Sequence, residues 1–161
     1  MAHDAETKMS AMFQYGIDLA HRRVFLQCGI EEHEDPGKNV TEMVTRGLLY
    51  LDQTAGDIEL WIHTPGGDVD DMFAIYDVMR TCDNDVSTVG HGAICSAGAL
   101  LLAGGARRKR YTTPNSIWMA HEFQGGIDNV GTVQQKIQMA QKERAEERWA
   151  KLMGRATTMG K

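Results

Sequence analysis

Between residues 58 and 103 the chain twice runs a short apolar stretch into a glycine-bearing turn and then into a helical pattern. Ile58-Glu59-Leu60-Trp61-Ile62 reads as a strand that ends at Thr64-Pro65-Gly66-Gly67, after which Val69, Met72, Phe73, Tyr76 and Met79 share one helical face. Val86 to Val89 reads as the next strand, and Ser96 to Ala103 as a buried helix. Helical crossovers between successive strands return each strand parallel to the last, so this alternation predicts an α/β domain with a largely parallel sheet. The pattern continues on both sides. Arg23 to Cys28 is a short apolar run bounded by Gly29. Asn39 precedes Val40, Met43, Val44, Leu48 and Leu51 at helical spacing, with Glu42 placed as in a capping box and Gly56 as a stop. Arg110 to Thr112 and Ile117 to Ala120 read as short strands around Pro114-Asn115, and Thr132 to Met153 as a long charged helix.

Composition narrows the class. A chain of 161 residues holds one domain with a real core. A net charge of -5 provides no footprint for nucleic acid or an anionic membrane, and the basic run Arg107-Arg108-Lys109-Arg110 after Gly104-Gly105 reads as a solvated turn. Cys28, Cys82 and Cys95 are an odd number without CxxC spacing, which argues against a disulfide framework or a zinc site and suits a reducing compartment. His3, Asp4, Glu6 and Lys8 interrupt any secretory signal layout, and no apolar run approaches the roughly 20 residues of a membrane span. The expectation is a soluble, cytoplasmic protein.

Ligands of α/β folds gather at strand carboxyl ends, and three strand ends here carry reactive or flexible residues. The Thr64-Pro65-Gly66-Gly67-Asp68 turn could aim a backbone N–H at a ligand, or be an ordinary tight turn; no Gly-Lys-Ser/Thr follows, so it is not a phosphate loop. Ser96 stands where a strand hands over to a helix, as a nucleophile or as a plain N-cap, and it half matches a nucleophile elbow, with Gly98 present but Ile94 at the first glycine position. Cys95 beside it is a rival nucleophile, inert if buried. His121 ends the apolar run from Ile117, as a base or as a structural histidine. Together the three supply an oxyanion donor, a nucleophile and a base, the set that acyl transfer requires. Asp68, Asp70 and Asp71 do not converge on one ion from a helix start, where carboxylates favour the N-terminal dipole in any case.

The stretch from Ile58 to Gly126 resembles the ClpP family of self-compartmentalised serine peptidases. The resemblance rests on Pro65-Gly66-Gly67, Ala74-Ile75-Tyr76-Asp77, Asp85-Val86-Ser87-Thr88, Ser96 before Gly98-Ala99, Pro114-Asn115-Ser116 and His121, with Ile17 to Gly29 similar to the family's first core strand. It implies a ClpP/crotonase-like α/β fold of repeated ββα units, with a head over about residues 17–124 and a protruding handle helix over 125–153. It further implies Ser96 as nucleophile, His121 as base, and the N–H groups of Gly67 and Ala97 as oxyanion hole. Gly125 and Gly126 would belong to the strand that binds extended substrate by β-augmentation. Heptameric rings stacked as a tetradecamer, a partner AAA+ unfoldase such as ClpX or ClpA, unfolded polypeptides as substrates and no cofactor in this subunit are implied as well.

Departures from the pattern are Ala97 for a common methionine, His63-Thr64 for Asn-Ser, and Glu122-Phe123 for Gln-Pro. The family's triad aspartate lies beyond the handle, and the sequence stops at Lys161 before that position, which reads as truncation. Loss of the aspartate in a serine protease costs about 10⁴ in kcat. Two other readings are a non-catalytic ring subunit and a crotonase-superfamily acyl-CoA enzyme; the latter usually works with carboxylates, and none stands at the Ser96 or His121 strand ends.

Overall fold

Asn39 starts a helix as its spacing to Glu42 predicts: its side-chain oxygen accepts from the Glu42 N–H at 2.9 Å. The Glu42 carboxylate is turned to Arg46 one helical turn on. The computed structural model describes residues 2–31, 39–123 and 131–157. They form α1 (Ala2–Tyr15), β1 (Ile17–Asp18), β2 (Arg23–Leu26), α2 (Val40–Asp52), β3 (Ile58–Thr64), α3 (Val69–Thr81), β4 (Val86–Cys95), α4 (Ala97–Gly104), β5 (Arg110–Thr112), β6 (Ile117–Met119) and α5 (Thr132–Ala156). The chain divides into two compact units, Met1–Met119 and Ala120–Lys161.

In the first unit the sheet order is β1-β2-β3-β4-β5, with β6 also on β4. Among the described residues every pairing from β2 onward is parallel, and β1 runs antiparallel to its neighbour β2. β3 alternates as its sequence predicts: Ile58, Leu60, Ile62 and Thr64 are buried, while Glu59, Trp61 and His63 face the more open side. α4 is buried along its whole length, so its apolar composition has no polar face to orient. Each large aliphatic side chain buried this way contributes about 1.5–3 kcal/mol.

Two elements depart from the sequence reading. β4 runs on to Cys95 instead of ending near Val89, through a register shift opposite Ile62 and Thr64. The positive φ of Gly92 (63°) bends the strand there and breaks the alternation that a continuous strand would show. α1 has no counterpart in the apolar pattern, because Met9, Met12 and Phe13 are exposed and trace no core-facing stripe. Within the basic run, Lys109 is committed to Asp57 (2.6 Å) and Asp85 (2.9 Å), and those bonds push its ammonium up to about 12.

Loops that carry no hydrophobic signal are fastened by polar side chains. The Arg22 guanidinium donates to the carbonyls of Leu51, Thr54 and Gly56 and to the Thr54 hydroxyl, closing the end of α2. Asp52 accepts from the Asn84 N–H at 2.9 Å and the Asp83 N–H at 3.1 Å, joining the end of α2 to the turn before β4. The Asn84 bonds, backbone first, hold the Asp52 carboxyl below the ordinary carboxylate range. A carboxyl lowered on folding stabilises fully above its unfolded value of about 3.9, and that contribution is lost as pH falls through the folded value. Asp52→Ala should therefore unfold at lower denaturant than the parent at pH 7, by up to about 1 kcal/mol once solvent screening of this exposed carboxylate is counted. The two denaturation midpoints should converge below about pH 4.

Candidate active site

β4 delivers Ser96 to the amino end of α4, and the backbone there is not that of an ordinary cap. Ser96 has φ 54° and ψ -116°, and its hydroxyl makes no capping hydrogen bond. An N-cap serine sits in the extended region and accepts from the helix, so the capping reading of Ser96 fails on both counts. A non-glycine residue held in such a sparsely populated backbone region costs about 1–3 kcal/mol. Two bonds pin the conformation: the Ser96 N–H donates to the Met119 carbonyl at 2.8 Å, and the Ser96 carbonyl accepts from the Ala99 N–H at 2.9 Å.

The glycine turn after β3 lies directly against this serine. A Cβ on Gly66 would stand 2.6 Å from the Ser96 Cβ and 3.1 Å from its Oγ, at a φ of 105° that side chains rarely adopt. Gly98 permits the same approach from the helix, since a Cβ there would meet Thr64 Cγ2 at 2.5 Å. Thr64 also steadies the turn from within, accepting from the Gly66 N–H at 3.1 Å.

Gly67 bridges Ile30 in parallel fashion: Ile30 N–H donates to the Gly66 carbonyl at 2.9 Å, and Asp68 N–H to the Ile30 carbonyl at 2.6 Å. In that pattern the bridged residue's own N–H points away from its partner strand, so Gly67's is aimed to the side opposite Ile30. Neither the Gly67 nor the Ala97 N–H finds an acceptor among the described residues. Gly67 admits no side chain at all: a Cβ would fall 1.9 Å from the Ile30 carbonyl oxygen. The Ile30 bridge is the element that sequence reasoning missed, because a lone isoleucine after Gly29 carries no strand signal.

Asp68 is occupied as the cap of α3, accepting from Asp70 and Asp71 N–H at 2.8 and 3.0 Å. Cys95 is half-buried, not fully enclosed as its apolar neighbours suggest.

His121 belongs to the second unit. Its Nδ1 is hydrogen-bonded to the Glu122 carbonyl, which can only accept, so Nδ1 carries the proton and Nε2 the lone pair. The imidazole borders a cavity of about 200 Å³ that it shares with Glu122, Phe123, Glu146, Trp149 and Ala150. Phe123 and Trp149 meet edge to face there, 6.1 Å between centroids. Gly125 and Gly126 lie outside the described residues.

The sequence pattern of the Clp protease family matches residues 8–160, nearly the whole chain. The chain belongs to the Clp protease family. Its architecture is accordingly the α/β fold of ClpP, and the crotonase reading falls away. Membership makes it a ClpP-like serine peptidase in kind, of a family that assembles as rings with an unfoldase partner.

The Gly66 contact generates a test. Gly66→Ala places a methyl group inside van der Waals contact of Ser96 and strains the turn. It should slow modification of Ser96 by a fluorophosphonate on the order of 10²-fold, as a misplaced reacting group does. Thermal unfolding followed by circular dichroism should show a smaller loss, about 1–3 kcal/mol.

Proposed function

We propose that this chain is the proteolytic subunit of a Clp-type protease, hydrolysing unfolded polypeptides to short peptides through an acyl-enzyme on Ser96. The observation that carries the reading is Ser96 itself: a hydroxyl released from capping duty, in a strained backbone, against a glycine turn, with an N–H on each side that finds no acceptor among the described residues. In this reading His121 Nε2 takes the hydroxyl proton as Oγ bonds to the scissile carbonyl carbon. The carbonyl oxygen, now negative, accepts from the N–H groups of Gly67 and Ala97. Collapse of the adduct breaks the C–N bond, and the imidazolium returns its proton to the departing amine. Water then repeats the sequence on the ester and frees Ser96.

A base needs its ring held and its tautomer set, and the Glu122 carbonyl supports both for His121. A neutral acceptor stabilises the imidazolium less than a carboxylate would. The proposal extends to the assembly: heptameric rings of this chain stacked in pairs, fed by an AAA+ unfoldase of the ClpX or ClpA kind, with no cofactor in this subunit and a cytoplasmic setting. Within it, residues 125–153 form the handle, and Gly125 and Gly126 pair with extended substrate.

A fluorophosphonate probe tests the reading. Labelling should occur, be abolished by Ser96→Ala and persist in Cys95→Ala. His121→Ala should reduce the labelling rate by at least about 10²-fold. An unlabelled parent protein would exclude the peptidase and leave a non-catalytic ring subunit.

A further inference from the structure

The bend in β4 that precedes Ser96 is held by a histidine. At Gly92 the strand turns through φ 63°, and its Cα lies so close to His63 of β3 that a Cβ would stand 2.5 Å from Nδ1. The Ala93 N–H, displaced from the sheet ladder by the bend, donates to His63 Nδ1 at 3.0 Å. The same nitrogen is 3.2 Å from the His91 carbonyl oxygen. These two contacts exclude each other. Nδ1 can accept from Ala93 only without a proton, and can donate to the His91 carbonyl only with one.

Immediately beyond the bend, β4 enters the candidate site. Ile94 pairs with Thr64 on β3 and Trp118 on β6, Cys95 pairs with Met119, and the next residue is Ser96. Gly66, two residues beyond Thr64, touches the Ser96 side chain. The register shift between Ile62 and Thr64 therefore sets how far β4 carries Ser96 relative to the glycine turn.

We propose that His63 is a positioning residue for Ser96: its neutral imidazole, protonated on Nε2, latches the β4 bend through Ala93, and protonation of Nδ1 releases the latch. The proposal rests on Ser96 being the nucleophile. The neutral ring satisfies the displaced amide. The cationic ring must donate from Nδ1, so it turns to the His91 carbonyl and leaves the Ala93 N–H unpaired. The latch thus belongs to the neutral ring and is lost when Nδ1 takes up a proton.

The groups around His63 do not override this. His91 of β4 stacks on it, ring centroids 5.5 Å apart, and burial together with His63 pushes the His91 imidazole below its ordinary range. Both effects disfavour a charge on His91. Glu59, four residues back on the same face of β3, is engaged by Arg23 at 2.7 Å and by Trp61 Nε1 at 2.8 Å.

Asparagine carries an acceptor, Oδ1, on Cγ where histidine carries Nδ1, and it does not titrate. Acidification should therefore slow the modification of Ser96 by a fluorophosphonate more steeply in the parent than in His63→Asn. At pH 8, His63→Ala should be slower by about tenfold and His63→Asn should recover most of that rate. Equal acid slopes in parent and His63→Asn, or an asparagine variant as slow as the alanine one, would overturn the proposal.

Hydrogen exchange at the Ala93 amide, read by mass spectrometry on the parent and His63→Asn at pH 7.5 and 5.5, gives a readout without activity. Protection should drop about fivefold more in the parent than in the variant on acidification. The same drop in both would overturn the latch even if Ser96 labels well. A parent that never labels, but shows the selective loss of protection, would refute the peptidase reading and leave the latch standing.

Discussion

The approach of the turn after β3 to the start of α4 is the contact on which the rest of the molecule depends. It is possible because three glycines lack a Cβ where one would collide: Gly66 with Ser96, Gly67 with the Ile30 carbonyl, and Gly98 with Thr64. Each collision would fall below 3 Å with backbone or with a side-chain atom held close to it, so none could be absorbed by a flexible side-chain tip. Two strand ends meeting at this separation require that β3 and β4 be parallel neighbours and that each be followed at once by a helix. The α/β architecture is what meets both requirements.

Stability and reactivity are supplied by different parts of that arrangement. The buried face of β3, with Leu60 and Ile62 wholly enclosed, and the fully buried α4 provide the apolar area. That reserve allows Ser96 to be held in an unfavourable backbone conformation by the hydrogen bonds to Met119 and Ala99. Strain of about 1–3 kcal/mol is small beside the burial of even a few such aliphatic residues. The opposite face of β3 makes a polar and aromatic chain instead. Arg23 lies over Trp61 at 5.4 Å, Trp61 meets His91 at 5.7 Å, and His91 stacks on His63. This face ends at the bend that leads to Ser96, so its residues bear on the geometry of β4.

Much of this was legible in the sequence, and the reasons for the rest are physical. Apolar runs find β2 and the wholly buried α4, and periodicity finds β3, α2 and α3, which each bury one face. It stopped β4 at Val89, because the bend at Gly92 shifts the phase of the alternation. It missed α1, whose apolar side chains are exposed. Serine is as good a cap as a nucleophile, and no local pattern encodes the positive φ of Ser96 or its missing capping bond. The turn Pro65-Gly66-Gly67 was similarly ambiguous. The Ile30 bridge that fixes the backbone of this turn is a long-range pairing of a single residue that no local pattern encodes.

His63 shows why local reading fails at such a site. In sequence it is one polar residue at the end of a strand, on the side that alternation assigns to solvent, and an exposed histidine there needs no explanation. Its significance comes from an amide on another strand, 30 residues away, that the glycine bend has removed from the ladder. A bend in a strand leaves backbone donors that must be satisfied by something other than the sheet. The side chain that takes up such a donor inherits control over the bend. When that side chain is an imidazole, the control carries the imidazole's proton chemistry, and the residue that the strand delivers next is Ser96.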